Sequence, residues 1–162
     1  NLCFRPERRF YHTELGNNFR LTNLQAAVGV AQIERIDEIV ARKRRMGHRY
    51  TERLSGIPRL QLPLEQPWAR PVYWMYAVVL NEAAGGDATD FARRLKDEGV
   101  ETRPFFLGMH EQPALHRLGL FAGERYPVTE RIARQGLYLP SGLALTDDQI
   151  DTVCAAVRRT LA

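Results

Sequence analysis

One apolar stripe constrains this chain more than any other feature. Leu24, Val28, Ala31, Ile36, Ile39 and Val40 recur near the period of a helix, and Met46, Tyr50 and Leu54 continue the same face. Thr22 opens it. With Gln25 three residues on, it makes a capping box, in which each side chain satisfies a backbone N–H that the first turn leaves unpaired. Gly56 and Pro58 close it. Glu38 and Arg42, four residues apart, can pair on the exposed side. The pattern predicts a single helix of about thirty residues, roughly 45 Å long. A small domain needs less, so this helix is expected to bridge two domains or a dimer interface.

The flanking segments predict a small α/β fold. Residues 1–21 are polar and without period, and read as a loop or extended segment that packs on something else. Residues 57–71 carry Pro58, Pro63 and Pro67 and read as a connector. Residues 72–80 are apolar on both faces, which marks a strand buried on both sides with Trp74 in the core. Gly85 and Gly86 make a turn. Asp87 caps a short helix whose Phe91 and Leu95 face inward and which Gly99 ends. Val100 to Arg103 is a second short strand, stopped by Pro104. Residues 104–125 form a long loop, and one so rich in aromatics suits the wall of a site. Pro127 fits the first turn of a helix closed by Gly136. Leu137 to Ser141 is extended. Thr146 and Gln149 repeat the capping box ahead of a last helix that buries Ile150, Val153, Val157 and Leu161. The order predicts a sheet sandwich covered by helices. Its boundaries are a leading segment over 1–21, the long helix over 22–56 and a small α/β domain over 57–162.

Composition narrows the function. At 162 residues, 44% apolar and 26% charged, the chain can build one core of ordinary globular character. No apolar run approaches the roughly 20 residues of a membrane span, and no signal-peptide pattern opens the chain. Asn1 in place of Met points to a processed or truncated chain. Cys3 and Cys154 make no disulfide framework, and His12, His48, His110 and His116 have no metal-ligand spacing, so neither a metal nor an oxidising compartment is expected. A cytoplasmic location is the default. The net charge of +4 comes from twenty-one arginines against two lysines. Guanidinium forks suit anionic ligands, but codon usage in a GC-rich genome accounts for most of them. The one dense run, Arg42 to Arg45, has no interleaved aromatics, so no nucleic-acid partner is expected.

Two residues before the first helix have the right chemistry for a phosphate. Asn18 and Arg20 stand two apart, on the same side of an extended segment, one an amide donor and the other a fork of N–H donors. Taken alone they are as ordinary as a turn Asn and a surface Arg. Their setting, Gly16-Asn-Asn-Phe-Arg-Leu-Thr-Asn-Leu-Gln-Ala-Ala27, resembles the G-x-N-x-R-x-T-x-x-Q-A-A segment of the DegT/StrS family of pyridoxal-phosphate sugar aminotransferases. Further segments resemble the perosamine-synthase branch of that family in the expected order: Tyr73-Trp-Met-Tyr76; Gly99-Val-Glu-Thr-Arg-Pro-Phe-Phe106 with His110; Tyr126-Pro-Val-Thr-Glu130; Leu139-Pro-Ser-Gly142; Thr146-Asp-Asp-Gln-Ile150. The chain departs from it at Gly108, where the branch usually has Pro, and at Asn17, where an aromatic is usual.

The resemblance implies the C-terminal small domain of a fold type I pyridoxal-phosphate aminotransferase. It implies that Asn18 and Arg20 reach across a homodimer to the cofactor phosphate of the other subunit. It places Arg103, Phe105 and His110 in a loop facing the substrate, where Arg103 would hold a carboxylate or diphosphate and His110 would bond the sugar or carry a proton. An ion-paired Arg, a core Phe and a backbone-bonded loop His are the ordinary alternatives. The family's Schiff-base lysine is expected upstream of this chain. Lys43 sits among cations on what reads as a solvated helix face. Lys96 is followed by Asp97 and Glu98, which would hold its amine protonated. The complete enzyme would move an amino group from glutamate to the 4-keto carbon of a nucleotide-linked 6-deoxyhexose, and this chain alone would be inactive. The rival expectation is a non-enzymatic, dimerising or regulatory remnant of the same fold.

Overall fold

The computed structural model describes residues 10–81 and 84–162; Cys3 and the start of the leading segment lie outside them. The sheet has four antiparallel strands in the order β1-β2-β4-β3, formed by β1 (Leu60–Gln61), β2 (Tyr76–Leu80), β3 (Arg103–Pro104) and β4 (Gly136–Leu139). Its helices are α1 (Asn23–Ile33), α2 (Ile36–Leu54), α3 (Ala88–Asp97), α4 (Pro113–His116), α5 (Pro127–Gln135) and α6 (Asp147–Leu161). The predicted helix-covered α/β architecture is therefore present.

The single long helix is not. The stripe splits after Ile33, where the N–H of Arg35 turns to the carbonyl of Gln32 at 3.1 Å, one residue tighter than an α-helix. The cause is the absence of packing before the break. Every residue from Glu14 to Glu38 is exposed, so among the described residues no neighbour holds α1 in line with α2. The predicted Thr22–Gln25 capping box does form. Downstream of the break the stripe finds a partner: Met46, Tyr50 and Leu54 of α2 are buried in one cluster with Ile150, Val153, Val157 and Leu161 of α6. Arg49 and Arg53 of α2 clamp Asp151 of α6, with the closest N–O distance 2.7 Å. Their guanidinium groups hold the Asp151 carboxyl below its ordinary range.

Strand register explains which side chains face the core. Leu137 and Leu139 of β4 pair with Val78 and Tyr76 of β2, and all four are buried, each at most 2% exposed. Alternation sends Ala77 and Tyr138 to the opposite face. The phenols of Tyr50 and Tyr76 stack at 4.8 Å inside the core. Each finds an oxygen: Tyr50 donates to the Pro140 carbonyl, and Tyr76 shares a hydrogen bond with Thr51. Burial raises the Tyr76 phenol to about 12.

Two expected strand boundaries move. The run 72–80 becomes extended strand only from Tyr76, because Tyr73 adopts a left-handed φ of 49°. That turn lays the Tyr73 ring on Gly47 of α2 and leaves Trp74 65% exposed, not in the core. The expected strand from Val100 to Arg103 is shifted to Arg103–Pro104, at the sheet edge, where a proline without an N–H is tolerated. Strand β1 falls inside the stretch expected to be connector, since two residues between prolines carry no period.

Candidate functional site

Sheet register decides where Arg103 stands. Arg103 pairs with Tyr138, and Tyr138 pairs with Ala77, so these three share the face of the sheet turned from the core. Arg103 and Tyr138 line an open cavity of about 780 Å³ together with Lys43, Trp74 and Ser141. Arg103 itself is exposed. Its fork of donors is available to an anion entering that space.

Phe105 follows on the same face. It stacks on Tyr138 with ring centroids 4.5 Å apart. It also lies flat on Gly136: a Cβ there would stand 2.4 Å from the Phe105 ring and 2.6 Å from the Ile132 carbonyl. Phe105 is thus a packing residue that walls one side of Tyr138. Phe106, 47% exposed, meets Phe10 at 4.3 Å. The leading segment is strapped here as well. Buried Gln112 donates to the Phe10 carbonyl and accepts from the His12 N–H, both at 3.0 Å.

His110 lies beyond Phe105, in a separate buried cluster. It sits in the one-turn helix Met109–Glu111, 7% exposed. Its Nε2 stands 3.3 Å from Glu130 Oε1, and the Tyr126 ring crosses it edge-on at 4.8 Å. His116 Nε2 donates to its backbone carbonyl. Glu130 also accepts from Arg125 Nε and Nη2, at 2.8 and 2.6 Å, and from the Tyr126 N–H at 3.0 Å. Those partners, Arg125 foremost, hold the Glu130 carboxyl down at about 2. Glu130 was missed as a site residue. Its sequence signal was an acidic residue in the first turn of a helix begun by proline.

Asn18 and Arg20 are both exposed on the segment ahead of α1. The structure does not bring them to Arg103 or His110. The apolar residues around them are equally uncovered: Phe19 is 87% exposed, Leu24 82% and Val28 65%.

Lys43 does not lie on a solvated face. Its Nζ donates to the Trp74 carbonyl at 2.9 Å and to the Ser141 carbonyl, joining α2 to the ends of β2 and β4. Partial burial lowers its pKa. Beside it, Arg44 donates to the Pro71 carbonyl and pairs with Glu65 at 2.9 Å. The run Arg42 to Arg45 is thus half consumed in tertiary contacts. Lys96 is exposed in the last turn of α3. Among the described residues no three His, Cys, Asp or Glu side chains gather to hold a metal, and no helix is long and apolar enough to cross a membrane.

Comparison with known proteins settles the family. Residues 3–158 match the profile of the DegT/DnrJ/EryC1/StrS aminotransferase family. The chain belongs to that family. It is 36% identical over 157 residues to GDP-perosamine synthase of Caulobacter vibrioides, covering 96% of this chain and 42% of that protein. DesV of S. venezuelae, solved in complex with a ketimine intermediate, superposes with a TM-score of 0.73 at 28% identity, over 96% of this chain and 41% of that one. DesI, solved with its TDP-sugar product, gives 0.73 at 30% identity, over 89% of this chain and 36% of its own. The chain therefore spans about two fifths of the length of these relatives. The family's aminotransferases are pyridoxal-phosphate enzymes.

Proposed function

We propose that this chain is the C-terminal part of a pyridoxal-phosphate aminotransferase acting on a nucleotide-linked 4-keto-6-deoxy sugar, with glutamate as amino donor. The observation that carries the reading is the exposed segment Gly16 to Leu21. It presents Asn18 and Arg20 with no hydrogen bond or ion pair to the other described residues, inside an uncovered apolar surface that continues along α1. A phosphate is the natural ligand of that donor pair, and the apolar surface fits a large domain or a second subunit. The enzyme works as a homodimer in the cytoplasm, and Asn18 and Arg20 hold the cofactor phosphate of the other subunit.

The donor set in this chain fits the cofactor's phosphate and not its aldehyde. Lys43 is committed to two carbonyls, and Lys96 stands on an open helix face. The Schiff-base lysine belongs to the part of the enzyme outside this chain. When bound, the cofactor supplies an electron sink for amino-group transfer. The chain's own residues then bind and orient. Arg103 faces the anionic part of the substrate from the cavity edge, and Tyr138 and Phe105 wall the site. By itself the chain is inactive.

The test uses the complete protein. It should convert GDP-4-keto-6-deoxymannose and glutamate to an amino sugar nucleotide and 2-oxoglutarate, detected by mass spectrometry, and the isolated 162-residue chain should not. Asn18→Ala should lose cofactor on dialysis while the fold is kept. No amination by the complete protein, or unchanged cofactor retention in the variant, would remove the assignment.

A further inference from the structure

Gln112 is one of two buried polar side chains among the described residues, at 6% exposure, and it lies outside the cavity that Arg103 and Tyr138 line. Its amide grips the backbone of the leading segment on both sides of Tyr11. Nε2 donates to the Phe10 carbonyl and Oε1 accepts from the His12 N–H, both at 3.0 Å. These are the groups a neighbouring strand would pair with, so the side chain stands in for a peptide unit. A third bond runs beside them. Helix α4 begins at Pro113, which has no N–H. The first free N–H of its turn, that of Ala114, donates to the His12 carbonyl at 3.1 Å. The Phe10 ring lies on Phe106 with centroids 4.3 Å apart.

The grip holds a backbone that would not rest there by itself. Phe10 has φ 61°, in the left-handed region that a bulky side chain disfavours and keeps only where its surroundings impose it. Past Thr13 the contact ends. Every residue from Glu14 to Glu38 is exposed, and the chain is next half-buried at Ile39. Asn18 and Arg20 therefore lie six and eight residues beyond His12, but twenty-one and nineteen residues ahead of Ile39. The downstream route also passes through the break between α1 and α2. Six residues span at most about 20 Å. Of the two anchors, the strap at Gln112 is the one that limits where the Asn18 and Arg20 donors can reach.

We propose that Gln112 is a positioning residue that fixes the path of the chain into the Asn18–Arg20 segment and ties that segment to the stretch from Arg103 to Gln112. The phosphate that the segment would hold rests on the function proposed above; the strap does not. Gln112 acts on the cofactor through Asn18 and Arg20, so its effect there disappears when they are gone.

The test uses the complete protein and Gln112→Met, which keeps the length of the side chain and removes both of its bonds. Hydrogen–deuterium exchange reads the strap at the N–H groups of His12 and Ala114, the second of which does not bond to Gln112 itself. Both should exchange slowly in the wild type and about 10-fold faster in the variant. Dialysis reads the positioning. Gln112→Met should lose pyridoxal phosphate about 10-fold faster than the wild type, yet add less than about 2-fold in a background of Asn18→Ala with Arg20→Ala. Phe106→Ala, at a half-exposed position, loosens the same strap and should move both readouts in the same direction. It decides the matter if Gln112→Met does not fold. Unprotected His12 and Ala114 in the wild type overturn the proposal. So does an equal factor in both backgrounds, which would mark a general effect on the fold. Unchanged cofactor loss in a variant whose exchange is faster overturns it as well. If Asn18→Ala with Arg20→Ala itself leaves cofactor loss unchanged, the proposed function falls with its phosphate contact, and exchange alone still decides the strap.

Discussion

Gly47→Ala sets two physical effects of opposite sign against each other inside α2. Helix propensity favours alanine over glycine by about 1 kcal/mol at an interior position. The tertiary contact opposes it. A Cβ at 47 would lie 2.5 to 2.7 Å from three atoms of the Tyr73 ring. That ring has little room to retreat. Tyr73 is 7% exposed, its backbone is already left-handed at φ 49°, and it lies over Tyr76, which is fully buried. Forcing a methyl group into such a contact costs about 1–3 kcal/mol. The contact should win by roughly 1 kcal/mol, which for a domain of this size lowers Tm by about 2–4 °C. The assay is thermal and urea unfolding of Gly47→Ala in two backgrounds, wild type and Tyr73→Ala. Without the ring, Gly47→Ala should become stabilising by about 0.5–1 kcal/mol, because propensity alone then remains. The sign reversal is the interaction energy between the two positions. Stabilisation by Gly47→Ala in the wild-type background would refute the reasoning.

Three further outcomes follow from the same geometry. Gly136→Ala should destabilise by about 1–3 kcal/mol in urea unfolding, because its Cβ meets both the Phe105 ring and the Ile132 carbonyl, and backbone yields less readily than side chain. Lys43→Met should cost about 1–3 kcal/mol by leaving the Trp74 and Ser141 carbonyls without a charged donor; an unchanged Tm would show that water replaces it. Stability should depend on acid through Glu130, whose folded value of about 2 is below the roughly 4.3 of a free glutamate. A depressed carboxylate contributes above its unfolded pKa and loses that contribution as pH falls towards the folded one. Tm should therefore decline between about pH 5 and pH 2, with Asp151 adding in the same direction, and Glu130→Gln should decline less steeply. Parallel curves would contradict the assignment.

Local chemistry in the sequence was a sound guide wherever the answer lay within a few residues. Both capping boxes form, at Thr22 and at Thr146. Asp87 caps α3 through two backbone N–H groups, Phe91 and Leu95 are buried, and Gly99 takes the left-handed conformation that ends it. Ordered motifs along the chain also carried the family. The readings that changed were those in which a distant neighbour decides. Trp74 has the composition of a core residue, but one left-handed residue before it turns it outward. Lys43 sits among cations in sequence, yet in space it faces two carbonyls from other elements. The helical stripe runs on from Ala31 to Ile36, but the helix breaks between Ile33 and Ile36, because α1 is exposed throughout and packs on none of the described residues.

For the site, the sequence determined which residues carry chemistry: an amide and a guanidinium ahead of α1, a guanidinium at a strand end, a histidine in an aromatic loop. It could do so because donor inventory belongs to the side chain. Only the tertiary structure decided their company. Register placed Arg103 beside Tyr138 on the sheet face opposite the core, with Lys43 across the same cavity. Chain reversal over some twenty residues brought Glu130 to His110. Such pairings rest on packing between segments far apart in the chain. No spacing in the sequence encodes them, because only the folded backbone sets the distances.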